Sequence, residues 1–257
     1  KKLFQTIGNI IELIEKDDMP KYLLFLENAF PYMDNYNYHK GMNGIIQELT
    51  GLLKTKNIGT DSDRALLLDF QATLETKPEK AIKLEKDALA QIENITADNA
   101  RLVSNLHANL GGLYRMNGHP DLAREHMEKS ISLLDQFNLL HINDSIPQIA
   151  NYAMFLTEQQ EPERGISELQ KLSGIIKEYH SDDCLDYAKV QETLGTIYLM
   201  TANLPQAKTH FKRAFKIYEK IWADEPEMIE AKYLEIQELY PQIGFSIGKT
   251  LSGLLTK

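Results

Sequence analysis

The sequence predicts an all-α fold in which antiparallel helix pairs stack in series as an α-solenoid. Three observations predict it. Apolar residues recur at helical spacing along most of the chain, small residues recur every 42 positions where two helices would approach, and turn residues separate the helices at matching places. One helix pair cannot bury its apolar face alone, so each pair needs neighbours of the same kind.

The stretch 189–220 shows this unit most clearly. Its first helix carries Leu194, Gly195 and Tyr198 on one face. We expect Gly195 to let the two helix backbones approach closely, while the ring of Tyr198 fills the space beside it. Pro205 follows in the first turn of the second helix, where the missing N–H removes no helical hydrogen bond. The second helix presents Ala207, Phe211 and Ala214 to the first.

The same six positions recur at steps of 42 residues upstream. Small residues return where the backbones approach, and large residues return at most of the filling positions. The most upstream copy departs from this rule twice, with Asp69 at a close-approach position and Glu85 at a filling position. The copies are Tyr152, Ala153, Leu156, Gly165, Leu169 and Leu172, then Leu110, Gly111, Tyr114, Ala123, Met127 and Ser130, then Leu68, Asp69, Ala72, Ala81, Glu85 and Ala88.

This pattern resembles the tetratricopeptide repeat (TPR), in which a Leu-Gly-x-x-Tyr helix precedes an Ala-x-x-x-Phe helix. The usual repeat has about 34 residues, so a period of 42 adds about two helical turns. Long repeats of this kind are similar to those of kinesin light chains and of bacterial peptide-responsive regulators. The resemblance implies a right-handed superhelix of about five or six repeats. It leaves the ligand open, because this fold serves many partners.

We interpret the whole chain, 1–257, as one solenoid with three parts. Residues 1–57 form degenerate N-terminal helices, 61–222 form the well-matched repeats, and 225–257 form a C-terminal helix pair. The apolar stripe in 3–14 has the phase of a second helix, so we expect the chain to be a fragment of a longer protein; N-terminal processing is the alternative. The final helix is apolar over its length, and it docks on the stack, continues into further sequence, or joins a second copy as a homodimer.

Composition narrows the classes of partner. The net charge of −9, from 37 acidic and 28 basic residues, argues against nonspecific binding of nucleic acid, which needs clustered Lys and Arg. The single cysteine, Cys184, allows no intramolecular disulfide, which favours a cytoplasmic location. No run of about 18 apolar residues is present to cross a membrane. We therefore expect neither nucleic acid nor membrane as a partner.

The sequence carries no pattern typical of a catalytic or metal site. No histidine pair has the spacing of a helical zinc motif, and the spacing from Gly244 to Gly248 is one residue too short for a phosphate-binding loop. His126 and His210 share a repeat position, and we expect both on the outer face. Cys184 is interpreted as a half-buried structural residue rather than a reactive thiolate. We predict no enzymatic activity, no cofactor and no metal.

The candidate site lies on the first helices, which line a concave groove in the resembled family. The residue before the Leu-Gly position is Asn109, then Asn151, then Thr193. In that family an asparagine here bonds the backbone of an extended peptide, and a carboxamide suits this because it both donates and accepts. In the alternative interpretation, the two asparagines bond neighbouring helices. The predicted peptide-binding residues are Asn105, Asn109, Gly112, Arg115, Asn151, Lys189, Thr193 and Thr196.

These observations predict a noncatalytic scaffold that binds a peptide or protein in the concave groove. The alternative is a peptide-sensing regulatory domain of a bacterial transcription or signalling regulator, whose effector domain lies upstream. An enzyme that uses the solenoid as a frame is a third hypothesis. The first two share the groove and differ only in sequence preceding residue 1.

Overall fold

The computed structural model describes Leu23, Leu26 and residues 39–56, 59–142 and 145–239. These residues form ten helices and no strand, which confirms the predicted all-α fold over the described part. The apolar stripe of 3–14 and the final helix within 240–257 lie outside it. The helices are α1 His39–Lys56, α2 Asp61–Leu74, α3 Pro78–Leu89, α4 Ala100–Met116, α5 Pro120–Gln136, α6 Ser145–Glu158, α7 Pro162–Tyr179, α8 Leu185–Met200, α9 Leu204–Ile221 and α10 Pro226–Leu239.

The chain divides into two compact units, Lys1–Leu133 and Leu134–Lys257, with the boundary inside α5. In the first unit, α1 and α2 share a core that includes Met42, Ile46 and Phe70. In the second unit, α6 packs on α7, α8 packs on α9, and α8 also contacts α6 and α7. None of the helices described is long and apolar enough to cross a membrane.

The turn inside three helix pairs repeats with the same 42-residue period. Gly118, Gln160 and Ala202 each adopt the left-handed backbone conformation, with φ of 73°, 65° and 59°. The next residue then donates its N–H to a carbonyl near the end of the first helix, as in a helix C-cap motif. These bonds run from His119 to Tyr114 (2.9 Å), from Glu161 to Leu156 (2.8 Å) and from Asn203 to Tyr198 (2.7 Å).

The left-handed turn predicts that Ala202→Gly will stabilise the protein. Glycine adopts this conformation without the steric cost of a Cβ, so we expect a gain of about 0.5–1 kcal/mol in the free energy of unfolding. Urea denaturation of parent and variant measures the difference. The matched control is Ala231→Gly at an exposed position within α10, which should lose up to about 1 kcal/mol of helix propensity. A loss of stability in both variants would contradict the assigned turn.

In two helix pairs of the second unit, the helices touch at the small residues that the sequence pattern selected. A methyl group placed on Gly195 would lie 3.0 Å from Cδ2 of Phe211, the large residue predicted to face it. In the preceding pair, a methyl on Gly165 would lie 2.6 Å from the carbonyl oxygen of Ala153. These contacts place the predicted close approach between α6 and α7 and between α8 and α9.

The repeat pattern continues into α10. Ile236 lies 42 positions after Leu194 and is buried against Ala207, Phe211 and Phe215. The same position is buried in the earlier copies, as Leu110 and Tyr152. A first helix of a further repeat therefore packs on α9.

Candidate functional site

A cleft in the second unit gathers three of the predicted residues. It has a volume of about 260 Å³ and lies between α6, α8 and α10. Asn151 comes from α6, while Thr193 and Thr196 come from α8. Its complete lining is Ala150, Asn151, Met154, Glu192, Thr193, Thr196, Glu235 and Ile236.

Asn151, Thr193 and Glu235 occupy the same position in three successive repeats. They are spaced 42 residues apart, and all three line the cleft. The predicted site ends at Thr193 and does not include Glu235, although one more step of the same period leads to it. The first helices of the second unit therefore present one polar column, which consists of the Asn151 amide, the Thr193 hydroxyl and the Glu235 carboxylate in that order.

The two threonine hydroxyls of the cleft already use their single proton. Oγ1 of Thr193 donates to the carbonyl oxygen of Lys189 at 3.0 Å, and Oγ1 of Thr196 donates to that of Glu192 at 3.1 Å. Each hydroxyl therefore retains only acceptor capacity for a ligand. Asn151 is exposed, and within residues 145–239 its carboxamide has no hydrogen-bond partner, so it offers both donors and an acceptor.

An ion-pair network fixes the two carboxylates of the cleft. Nζ of Lys232 lies 2.9 Å from Oε1 of Glu192 and 3.0 Å from Oε2 of Glu235. The hydroxyl of Tyr218 donates to Oε2 of Glu192 at 2.6 Å. Burial acts to lower the pKa of Lys232, but its contacts with Glu192 and Glu235 outweigh burial and raise that pKa. Burial and the neighbouring Glu192 also raise the pKa of Tyr218. The lysine therefore stays charged and joins α8 to α10.

Asn109, the corresponding residue of the first unit, is bonded to neighbouring helices. Its Nδ2 donates to Oδ1 of Asp69 on α2 at 2.8 Å and to Oε1 of Glu85 on α3 at 3.2 Å. The structure thus shows for Asn109 the kind of contact that the alternative interpretation described. The side chain remains exposed, and its role in ligand binding stays a prediction.

The two departures from the repeat pattern, Asp69 and Glu85, lie together around this amide. Glu85 is only 1% exposed. Burial, and secondarily the charge and hydrogen bond of Asp69, raise the pKa of Glu85 to about 10. Glu85 is therefore a neutral acid at physiological pH; its Oε1 accepts from Asn109, whereas its Oε2 has no hydrogen-bond partner among the described residues. The two departures from the repeat pattern thus form a polar cluster joined by the Asn109 amide, at the place where other repeats have a small residue against a large one.

The other predicted residues are not part of the lining of the cleft in the second unit. Lys189 is exposed and pairs with Asp186 at 3.6 Å, outside the cleft lining. Asn105 and Arg115 are half-buried on α4 in the first unit. A Cβ on Gly112, also on α4, would meet no heavy atom within 4 Å, and the role of this residue in ligand binding stays a prediction.

His126 and His210, which were expected on the outer face, also pack between helices. His126 and His210 are both half-buried, and they stack on the repeat tyrosines Tyr114 and Tyr198 with ring centroids 5.4 Å and 5.3 Å apart. Nδ1 of His126 lies 2.9 Å from Nδ1 of His107. Burial, followed by the charges of His126 and Lys129, lowers the pKa of His107 to about 4. This pair is therefore neutral near pH 7.

Cys184 caps the N-terminus of α8. Its Sγ accepts a hydrogen bond from the backbone N–H of Tyr187 at 3.4 Å, and the residue is half-buried. The interpretation as a half-buried structural residue agrees with this position. In the part of the chain that the structure describes, no three His, Cys, Asp or Glu side chains are arranged to hold a metal ion.

Comparison with known proteins agrees with the repeat pattern. Residues 145–220, which span α6 to α9, match the family model of the tetratricopeptide repeat. BtubC (BKLC) from P. vanneervenii has a similar structure, with 15% identity and a TM-score of 0.58 over 93% of this chain and 92% of that chain. Nearly identical TPR-like repeats from a Podosopora anserina protein described as a kinesin light chain have 13% identity and a TM-score of 0.61 over 77% of this chain and 94% of that chain.

At such identities the likeness shows the fold alone. No curated protein matches the chain. Tetratricopeptide repeats generally serve as protein-interaction scaffolds, which agrees with the broad class that the sequence predicted. Residues 145–220 are tetratricopeptide repeats, and the chain has a TPR-like, all-α solenoid fold.

Proposed function

We propose that the second unit binds an extended peptide segment in the cleft between α6, α8 and α10, without catalysing a reaction. One observation carries the proposal: Asn151, Thr193 and Glu235, from the same position of three successive repeats, line a single cleft. A column of polar side chains with a regular spacing suits a ligand whose own polar groups repeat, and the extended backbone is such a ligand.

The dimensions of helices and extended chains support this fit. Packed helices lie about 8–10 Å apart, and an extended chain advances about 3.3 Å per residue. A peptide that crosses successive first helices would therefore meet one member of the column about every three residues. Asn151 can donate to a peptide carbonyl and accept from a peptide N–H, whereas Thr193 and Glu235 can accept from N–H groups. Ala150 and Met154 supply apolar surface for side chains.

The proposal predicts that Asn151→Ala weakens peptide binding and leaves the fold intact. We would select a nonapeptide from a random displayed library with the full chain and measure its Kd by fluorescence anisotropy. Loss of one or two hydrogen bonds should cost about 1–2 kcal/mol of binding free energy. The melting temperature should not change, because Asn151 is exposed.

The matched control is Gln170→Ala, which removes an exposed carboxamide from α7, a second helix. It should leave Kd unchanged. Failure to enrich any peptide, or equal weakening by Gln170→Ala and Asn151→Ala, would contradict peptide binding in this cleft.

A further inference from the structure

The polar groups that line the cleft of the second unit are mostly hydrogen-bond acceptors. The hydroxyl protons of Thr193 and Thr196 are engaged by carbonyls of their own helix. The carboxylates of Glu192 and Glu235 accept only. Asn151 is the lining side chain that still offers N–H donors. A ligand group that satisfies this surface must itself be rich in donors.

The charged side chains around the cleft also favour a ligand group that donates hydrogen bonds. Lys232 pairs with both Glu192 and Glu235, so two carboxylates face one ammonium group. Glu192 is held by Lys232 and Tyr218 and has a side-chain exposure of 19%. The Glu235 side chain is 54% exposed and reaches Lys232 through Oε2. A carboxylate has about four acceptor positions, so Glu235 can accept further bonds from a ligand.

The size of the cleft and its apolar lining fit a single long side chain of the ligand. Ala150 and Met154 form the apolar part of the cleft surface that a ligand can reach, because Ile236 is only 2% exposed. A volume of about 260 Å³ is below the range of about 300–1,000 Å³ that is usual for small-molecule pockets. Lysine and arginine carry an aliphatic stem, which packs on apolar surface while the charged head reaches polar groups.

We infer that this cleft is a subsite for a Lys or Arg side chain of the bound peptide, with its stem on Ala150 and Met154 and its cationic head at Glu235. The inference rests on the proposed function and adds the chemical class of the ligand residue. It assigns specificity to Glu235, while Asn151 engages the peptide backbone.

The test uses the full chain and three pools of capped, fluorescein-labelled nonapeptides that differ only in the fixed central residue, which is Lys, Gln or Glu. The Lys pool should bind about tenfold more tightly than the Glu pool, the effect of about one charge-assisted hydrogen bond. The preference should decrease in high salt, since Glu235 is partly exposed. Glu235→Gln should reduce the preference, and Glu235→Lys should turn it towards the Glu pool.

The matched control is Glu230→Gln, at an exposed position of α10 that does not line the cleft, and it should keep the preference for Lys. If all pools bind equally and Asn151→Ala weakens them all, the subsite is wrong and peptide binding stands. If no pool binds, both proposals are wrong. A preference for Lys that Glu235→Gln leaves unchanged would overturn the assignment to this cleft.

Discussion

Replacing Gly165 by leucine should destabilise the protein by about 3 kcal/mol, at the upper end of the usual cost of overpacking. A Cβ at this position would lie 2.6 Å from the carbonyl oxygen of Ala153 and 3.2 Å from its Cα. These are backbone atoms of α6, which cannot rotate aside as the end of a side chain can. Helices α6 and α7 would have to separate, and the apolar contacts between them would be lost.

The same substitution at Gly174 is a matched control on the same helix, α7. A Cβ there would meet no heavy atom within 4 Å, and the residue is exposed. Both substitutions gain up to about 1 kcal/mol of helix propensity, so the difference between them isolates the close approach. Chemical denaturation of the two variants gives that difference. Equal stability would show that the assigned contact between α6 and α7 is wrong.

Glu85→Gln should stabilise the protein by up to about 5 kcal/mol at pH 8, because that pH lies about 3.7 units above the pKa of a free Glu side chain. In the parent, burial beside Asp69 holds Glu85 in its neutral form, whereas the unfolded chain releases this proton above about pH 4.3. Each tenfold difference in proton affinity corresponds to about 1.4 kcal/mol. Glutamine needs no proton, because its amide can donate to Asp69 and its oxygen can accept from Asn109 at the place of Oε1.

The sign of the pH dependence follows from the raised pKa. The folded state keeps the proton of Glu85 up to about pH 10, so this contribution to stability is full below about pH 4.3 and falls as the pH rises. The difference between Glu85→Gln and parent should therefore be small at pH 5 and grow towards pH 8. His107 and His126 also titrate in the acid range, but they do so in both proteins and cancel in the difference.

The control for Glu85 is Glu79→Gln at an exposed position of α3, which should show no such pH-dependent difference. Thermal denaturation at pH 5, 6, 7 and 8 gives the melting temperatures of the parent, Glu85→Gln and Glu79→Gln. A variant Glu85→Gln that is less stable than the parent at pH 8 would contradict a neutral Glu85.

The fold could be predicted because its main constraint is local and repeats. Close approach of two helices requires a small residue opposite a large one, and Gly195 with Phe211 showed this at a fixed period. The contact between Asp69 and Glu85 could not be predicted in this way. Each residue alone breaks the pattern, and their compatibility depends on the protonation of Glu85 and on Asn109 from the next repeat.

The candidate site was predicted in part for the same reason. Asn151 and Thr193 share a repeat position, so the period places them on one surface. Glu235 occupies the same position one period further on, in α10, and was not among the predicted residues. The roles of Lys232 and Tyr218 depend on how α9 and α10 pack on α8. No residue spacing in the sequence specifies that geometry.

The most direct test of peptide binding by the first helices is a map of backbone amide chemical shifts in the full chain as the selected nonapeptide is added. If peptide binds in this cleft, the largest shifts will cluster at Asn151, Thr193 and Glu235 and at their neighbours on α6, α8 and α10. Shifts confined to α7 and α9, with none at these three residues, would contradict it.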